Sequence, residues 1–361
     1  MARLERSQVQ ENLSLLGKHP ISNKHIFTKL DVKGQNVSAI DILEEFPFLQ
    51  DVDVANNQIE SLAPLAKLPF LLSLNAENNQ LETLLDFDPP QCTREKAWID
   101  GGDQAIGSMV HIVNLSRNKI STMRDLTTHR YIQELVLDHN QITHISGISQ
   151  LVFLKYLSLA HNKLTTTDGL TKNLPIEILN LSHNEIADTA QLSSLPRLLT
   201  VNLAHNKLRS LADLGKCRML QLLDVSYNRI KNLREIDALT PLRDLSDLNL
   251  SKCPITRISF YRYRVLVRTQ QLVKLDHLPA SVKERIKAKV VHGGDMQARK
   301  AIFDSHMKGD EEFTNYLPPL EFDCEPASPS SPNKPPLTQE SCKDYATREA
   351  SKAIGMYVVG F

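Results

Sequence analysis

An asparagine returns at a stride of twenty-two residues along much of this 361-residue chain, each time inside the same frame of aliphatic side chains. The segments read LQDVDVANNQI at Asn57, LLSLNAENNQL at Asn79, IQELVLDHNQI at Asn140, LKYLSLAHNKL at Asn162, IEILNLSHNEI at Asn184, LLTVNLAHNKL at Asn206 and LQLLDVSYNRI at Asn228. VHIVNLSRNKI at Asn118 stands between the second and third. Two weaker copies flank the array, FTKLDVKGQNV with Gln35 and LSDLNLSKCPI with Cys253 in the asparagine slot. A unit this short cannot bury a core alone, so ten copies must stack, each covering the apolar edge of the next.

Within a copy, Leu135 and Leu137, like Leu157 and Leu159, point inward from a short strand, and the residue between them faces out because side chains alternate along a strand. The asparagine belongs at the turn leaving that strand, where its amide can satisfy backbone groups that a buried turn would leave without partners. In the copy with Cys253 that bond is expected to be lost, which a final coil tolerates. After the asparagine, Ile59, Leu62, Leu65 and Leu68 recur every third residue, the period of a tight helical turn on the opposite side.

The pattern L-x-x-L-x-L-x-x-N-x-L resembles the leucine-rich repeat, and the twenty-two-residue coil is similar to the intracellular members of that class. The resemblance implies an α/β solenoid: a horseshoe with a parallel concave β-sheet, short convex helical turns, and N- and C-terminal caps. Residues 1–25 are expected to form an N-terminal capping helix, in which Val9, Leu13 and Leu16 make one apolar stripe. Residues 26–256 hold the ten repeats. The stretch FYRYRVLVRTQQLVKLD, Phe260 to Asp276, resembles a leucine-rich-repeat cap, here residues 257–292; Thr269, Gln270 and Gln271 replace its usual proline and leave Leu272 and Leu275 at the expected spacing.

The stride breaks once. Between Asn79 and Asn118 lie seventeen extra residues near 91–108, around the one tryptophan, Trp98. They read either as a loop projecting from the array, since loop closure costs grow slowly with length, or as a mis-spliced stretch. Residues 293–361, with SPSSPNKPPL from Ser328 to Leu337, read as a flexible Pro/Ser-rich tail.

Forty-two basic residues balance forty-two acidic ones. No whole-molecule field favours nucleic acid or an anionic membrane, so neither is an expected partner. No apolar run is long enough to span a bilayer, and the charged N-terminus lacks the apolar core of a signal peptide, which makes a cytoplasmic location the expectation. Cys92, Cys217, Cys253, Cys324 and Cys342 form an odd, dispersed set without a C-x-x-C pair, consistent with reduced thiols.

Outward strand positions are the candidate binding residues, because the fold does not require them. Several are apolar, Ile112, Val136, Tyr156, Ile178 and Leu222, and an exposed apolar strip marks a protein-binding face. The first coils present Asp31, Asp51, Asp53 and Glu77 instead, a register mark for a basic partner. A basic cluster in the cap, Arg262, Arg264, Arg268 and Lys274, suits an acidic surface. His139, His161, His183 and His205 share one slot, with Tyr227 continuing the row; imidazoles meeting side by side could take a metal, but a solvated turn is the stronger reading. Phosphate-loop, dinucleotide, H-E-x-x-H and G-x-S-x-G motifs do not occur, so neither catalysis nor a cofactor is expected.

The strings LSLLG, LETLLDFDPP, LSLAHNKLTTTDGL, LPIEILNLSHNEI and LREIDALTPLRDLSDLNL resemble, over most of residues 12–292, the repeat half of the leucine-rich repeat and guanylate kinase domain-containing family. Its kinase domain and phosphate loop have no counterpart here. The resemblance implies a scaffold associated with cilia, the flagellum or microtubule arrays, binding axonemal or microtubule-associated proteins; a non-enzymatic monomer is the expectation. The stride is similar also to the leucine-rich regulatory subunit of protein phosphatase 1, which implies a regulatory role instead. A nucleotide-related enzyme fragment is the third reading.

Overall fold

A computed structural model describes residues 2–18, 25–88, 109–258 and 260–292. The insertion near 91–108 and the tail from 293 lie outside these described residues.

The repeated frame builds one sheet. Its parallel strands are β3 (His25–Asp31), β5 (Asp51–Asp53), β6 (Ser73–Asn75), β7 (Ile112–Asn114), β8 (Glu134–Val136), β9 (Tyr156–Ser158), β10 (Ile178–Asn180), β11 (Thr200–Asn202), β12 (Leu222–Asp224), β13 (Asp247–Asn249) and β14 (Lys274–Leu275). Each strand pairs with the next in strict register; the inward aliphatic residues of successive coils, such as Leu135, Leu157, Leu179, Val201 and Leu223, are fully buried one above another. On the convex side, one-turn 3-10 helices such as Asp41–Glu45, Ala63–Lys67 and Ala190–Ser194 bring Leu43, Leu65 and Leu192 back into the same core. Twenty-two residues leave room for one such turn and no full α-helix. Where Gly147 and Gly169 replace the turn, both have positive φ, and an added Cβ would meet a carbonyl oxygen of the preceding coil at 2.0 Å.

The asparagines couple these coils. Asn162 Nδ2 donates to Leu137 O of the preceding coil (2.9 Å) and to Leu159 O of its own (3.1 Å), while its Oδ1 accepts from Ile142 N (3.0 Å). Asn57, Asn79, Asn118, Asn140, Asn184, Asn206 and Asn228 make the same inter-coil bond to a main-chain oxygen. Every one is buried, so each amide supplies partners that water cannot reach.

Two expectations need correction here. The bond at Cys253 is replaced, not lost: its Sγ donates to Val225 O at 3.1 Å, and Asn228 N donates to the sulfur at 3.4 Å. Nor is that coil the last, since β14 stacks on β13. At the N-terminus the helix α1 spans only Arg6–Glu11 and buries Val9. Leu13 and Leu16 lie instead on β2 (Leu13–Lys18), which pairs antiparallel with β3 and leaves Leu16 exposed. The physical reason is the sheet edge: β3 has no preceding coil, and a paired strand satisfies its backbone groups where a helix would not. The short strands β1 (Ala2–Arg3) and β4 (Val37–Ala39) tie this segment to the first coil.

The C-terminal cap is built from α3 (Tyr261–Arg268), β14, β15 (Leu278–Pro279) and α4 (Val282–His292), and follows the short helix α2 (Arg234–Asp237). Tyr261, Val265, Leu266, Leu272 and Leu275 close the open end of the core. Among the described residues no helix is long and apolar enough to cross a membrane.

Candidate protein-binding face

Pairing register sorts the outward side chains into rows. One row runs Asp51, Ser73, Ile112, Glu134, Tyr156, Ile178, Thr200, Leu222, Asp247. Within it Tyr156, Ile178, Thr200 and Leu222 form an unbroken stretch of side chains without charge. Ile112 belongs to the row, but Glu134 separates it from Tyr156. Val136 is out of line with these residues: it pairs with Ser158 and lies in the neighbouring row with Asp31, Asp53 and Asn114. The spacing of strand residues by two moves it one row across, although it stays partly exposed on the same face. Ile112, Ile178 and Leu222 are 44%, 41% and 37% exposed; Tyr156 is half-buried.

The acidic positions differ in how free they are. Asp53 accepts from Ala55 N and from Asn75 Nδ2, both at 3.0 Å, and Glu77 pairs with Arg117 at 3.5 Å. Asp31 is exposed and accepts one bond, from Lys33 N (3.3 Å), and Asp51 is partly exposed in the first row. The available charge of the first coils therefore sits on Asp31 and Asp51.

The basic cluster of the cap is mostly spent on the fold. Arg262 Nε meets Glu284 at 2.6 Å while its other nitrogens donate to Leu275 O, Leu278 O and Pro279 O. Arg264 is buried, at 8% exposure, which excludes it from any surface patch. Arg268 Nε donates to Asp237 (2.9 Å) and its Nη1 to Arg264 O. Lys274 alone of the four is exposed, 3.8 Å from Asp247. A guanidinium with five donors is suited to tying a cap whose short strands leave carbonyls unpaired, and that use consumes these arginines.

The histidine row lies on the rim where the chain leaves each strand. His139, His161, His183, His205 and Tyr227 all adopt left-handed backbone, φ 54 to 56°, and their rings stack face to face with centroids 3.9 to 4.0 Å apart. Parallel rings aim their nitrogen lone pairs alongside one another, so two neighbours do not converge on one ion. No cluster of three or more potential metal ligands occurs among the described residues. Burial against the neighbouring rings, and then the other imidazoles, hold His161 and His183 below the ordinary histidine range.

Sequence reading missed the opposite rim. The residue before the first apolar position of each copy is often aromatic: Phe48 stacks with Phe70 (6.1 Å) and Tyr131 with Phe153 (5.6 Å). Phe70, Phe153 and Met219 are exposed. The signal was the same stride read one residue earlier. It also missed His129, fully buried, whose Nε2 donates to Phe87 O at 3.0 Å.

A parallel sheet wound from register-locked coils, with an asparagine ladder behind it and a one-turn convex side, decides the architecture. The fold is that of the leucine-rich repeat. The leucine-rich repeat family profile matches residues 169–302. The solved structure of TLR13 in complex with ssRNA13 is 22% identical, with a TM-score of 0.50, over 62% of this chain and 32% of that one. A leucine-rich-repeat protein of Leptospira interrogans is 24% identical (TM-score 0.49) and matches 66% of this chain, which spans 63% of that protein's length. An internalin of Listeria monocytogenes is 20% identical (TM-score 0.40) over 70% of this chain and 90% of its own. No curated protein matches the sequence. Across this leucine-rich-repeat face, the geometry offers shape, apolar area and fixed charge.

Proposed function

We propose that the protein is a non-enzymatic scaffold whose concave face holds a segment of another protein. The observation that carries this is the uncharged row Tyr156, Ile178, Thr200, Leu222 on the outward face of the sheet, with Ile178 and Leu222 exposed and Tyr156 and Thr200 partly so. Tyr156 and Ile178 act as anchors, with Val136 beside them, and the carboxylates of Asp31 and Asp51 orient the basic end of the bound segment. Partner ordering on a pre-formed sheet costs little on the scaffold's side.

The proposed setting is the cilium, flagellum or a microtubule array, with cytoplasmic axonemal or microtubule-associated partners, supported by the likeness of the repeat strings to the guanylate-kinase-linked family. Proximity labelling in a ciliated cell tests both parts. Wild-type protein should enrich axonemal or basal-body proteins, and Tyr156→Glu with Ile178→Glu should lose them while remaining folded. Enrichment of a phosphatase catalytic subunit instead would select the regulatory-subunit reading, and unchanged capture by the double variant would reject the concave site.

A further inference from the structure

The rim where the chain leaves each strand carries charge of the opposite sign to the face beside it. Lys119, Lys163 and Arg229 share the slot after the asparagine, two and then three coils apart; Lys252 continues the histidine slot beside it, and Arg209 and Lys231 lie two residues further along their coils, all six exposed. None of these six has an ion-pair partner among the described residues. The rim's other two cations are neutralised locally, Arg117 by Glu77 and Lys207 by Glu185 at 2.5 Å. Coils spaced roughly 4.8 Å apart gather this charge into a band along one rim, three repeat positions wide, with Glu185 paired to Lys207 inside it. The stacked imidazoles run beside it, their ring edges turned outward.

We propose that this exit rim is a second interaction surface, separate from the concave face, and that it binds an acidic peptide segment of a partner protein. Charge complementarity selects the occupant, and the surroundings select its class. A single-stranded nucleic acid would need ring faces on which to stack, but every imidazole between His139 and Tyr227 already covers its neighbours' faces. A duplex is broad enough to overlap the concave side, where Asp138 and Asp224 repel phosphate. An extended chain of carboxylates is thin enough to follow the cations alone. Its acids are held by lysine and arginine, and the ring edges of the imidazoles offer N–H donors.

The test is fluorescence anisotropy of a labelled peptide of about 20 glutamates with the full chain, at low salt, against Lys119→Glu/Lys163→Glu/Arg229→Glu. The expected result is saturable binding that weakens at least about tenfold in this variant and in Lys119→Gln/Lys163→Gln/Arg229→Gln, which removes charge without adding repulsion. Binding unchanged in Tyr156→Glu/Ile178→Glu separates this surface from the concave one. Absence of binding by wild type, or full binding by the glutamine variant, overturns the proposal. So does tighter binding of a labelled single-stranded RNA of similar length. The chain's own acids at Asp310, Glu311 and Glu312 are a rival occupant. If changing them to amides raises peptide affinity about tenfold, the rim serves the chain itself and not a partner.

Discussion

Cys253 Sγ donates to Val225 O at 3.1 Å, the position in its coil that Asn228 Nδ2 takes on Leu203 O at 2.8 Å one coil earlier. A thiol thus occupies an asparagine's place with weaker hydrogen bonds. The asparagine is also the better acceptor: Asn228 Oδ1 accepts from Leu208 N at 3.0 Å, whereas the Cys253 sulfur accepts from Asn228 N at 3.4 Å. Removing the whole amide should cost more than removing the thiol. Asn162→Ala is expected to lower stability by about 3 kcal/mol and Cys253→Ala by about 1 kcal/mol, read from urea unfolding. Equal losses would show that the ladder does not depend on the amide.

Burial raises the thiols of both Cys217 and Cys253 to about 11. Neither is a thiolate near neutrality, and neither meets solvent. Maleimide labelling at neutral pH, mapped by peptide mass, should leave both unmodified in native protein and modify both in denaturant.

Acid should destabilise the array through its histidines. Desolvation lowers His129 most directly, and burial with mutual repulsion lowers His161 and His183 below the ordinary 6.5. Each folded-state value lies under the unfolded one, so the unfolded chain binds protons first as pH falls. These sites therefore contribute nothing adverse above about pH 7.5, and stability declines as pH drops through 6.5 toward the folded values. Melting temperature measured between pH 7.5 and 5.5 should fall. It should fall less in His161→Asn/His183→Asn, because asparagine already fills that left-handed slot at Asn56 and Asn78.

Two glycines with similar φ separate strain from collision. Gly34 has φ +69° and open space around an added Cβ, whereas Gly147 has φ +71° and a carbonyl oxygen at 2.0 Å. Gly34→Ala should cost about 1 kcal/mol from backbone strain alone, and Gly147→Ala above about 3 kcal/mol because Arg124 O must move. Similar urea midpoints for the two variants would contradict this packing.

Arg262 holds β14, β15 and α4 together through Glu284 and three carbonyls. Arg262→Met should cost about 2 to 3 kcal/mol and show first as faster hydrogen exchange in α4, ahead of the central strands. If exchange accelerates evenly along the solenoid, the cap is not the element this arginine secures.

What the amino-acid order displays is whatever repeats. The inward leucines and the asparagine ladder recur at one stride, so strand positions, convex turns and the closing strand at Leu272 and Leu275 were all readable in advance. The ends were not, because an edge has no repeat to compare with: Val9, Leu13 and Leu16 fit helical spacing, yet the unpaired backbone of β3 draws Leu13–Lys18 into a strand. Side-chain partners were also hidden. Nothing local tells that Arg262, Arg264 and Arg268 turn toward carbonyls, a carboxylate and the interior, or that left-handed backbone lays imidazoles flat on one another. Val136 reads as a companion of Tyr156 because both face outward, whereas rows depend on which residue stands opposite, and that is Ser158.

Between β6 and β7 the pairing of Leu74 with Val113 is as regular as between any other strands, although their connection is the longest in the stack. Thread length and phase are thus decoupled at that step. Arg124 meets Asp88 and Leu85 O, and His129 holds Phe87 O, so the chain is moored to the next coil as far as Asp88. A foreign domain grafted between Asp88 and Met109 would hang from a fixed bracket, leaving the coils on either side to assemble as if it were absent.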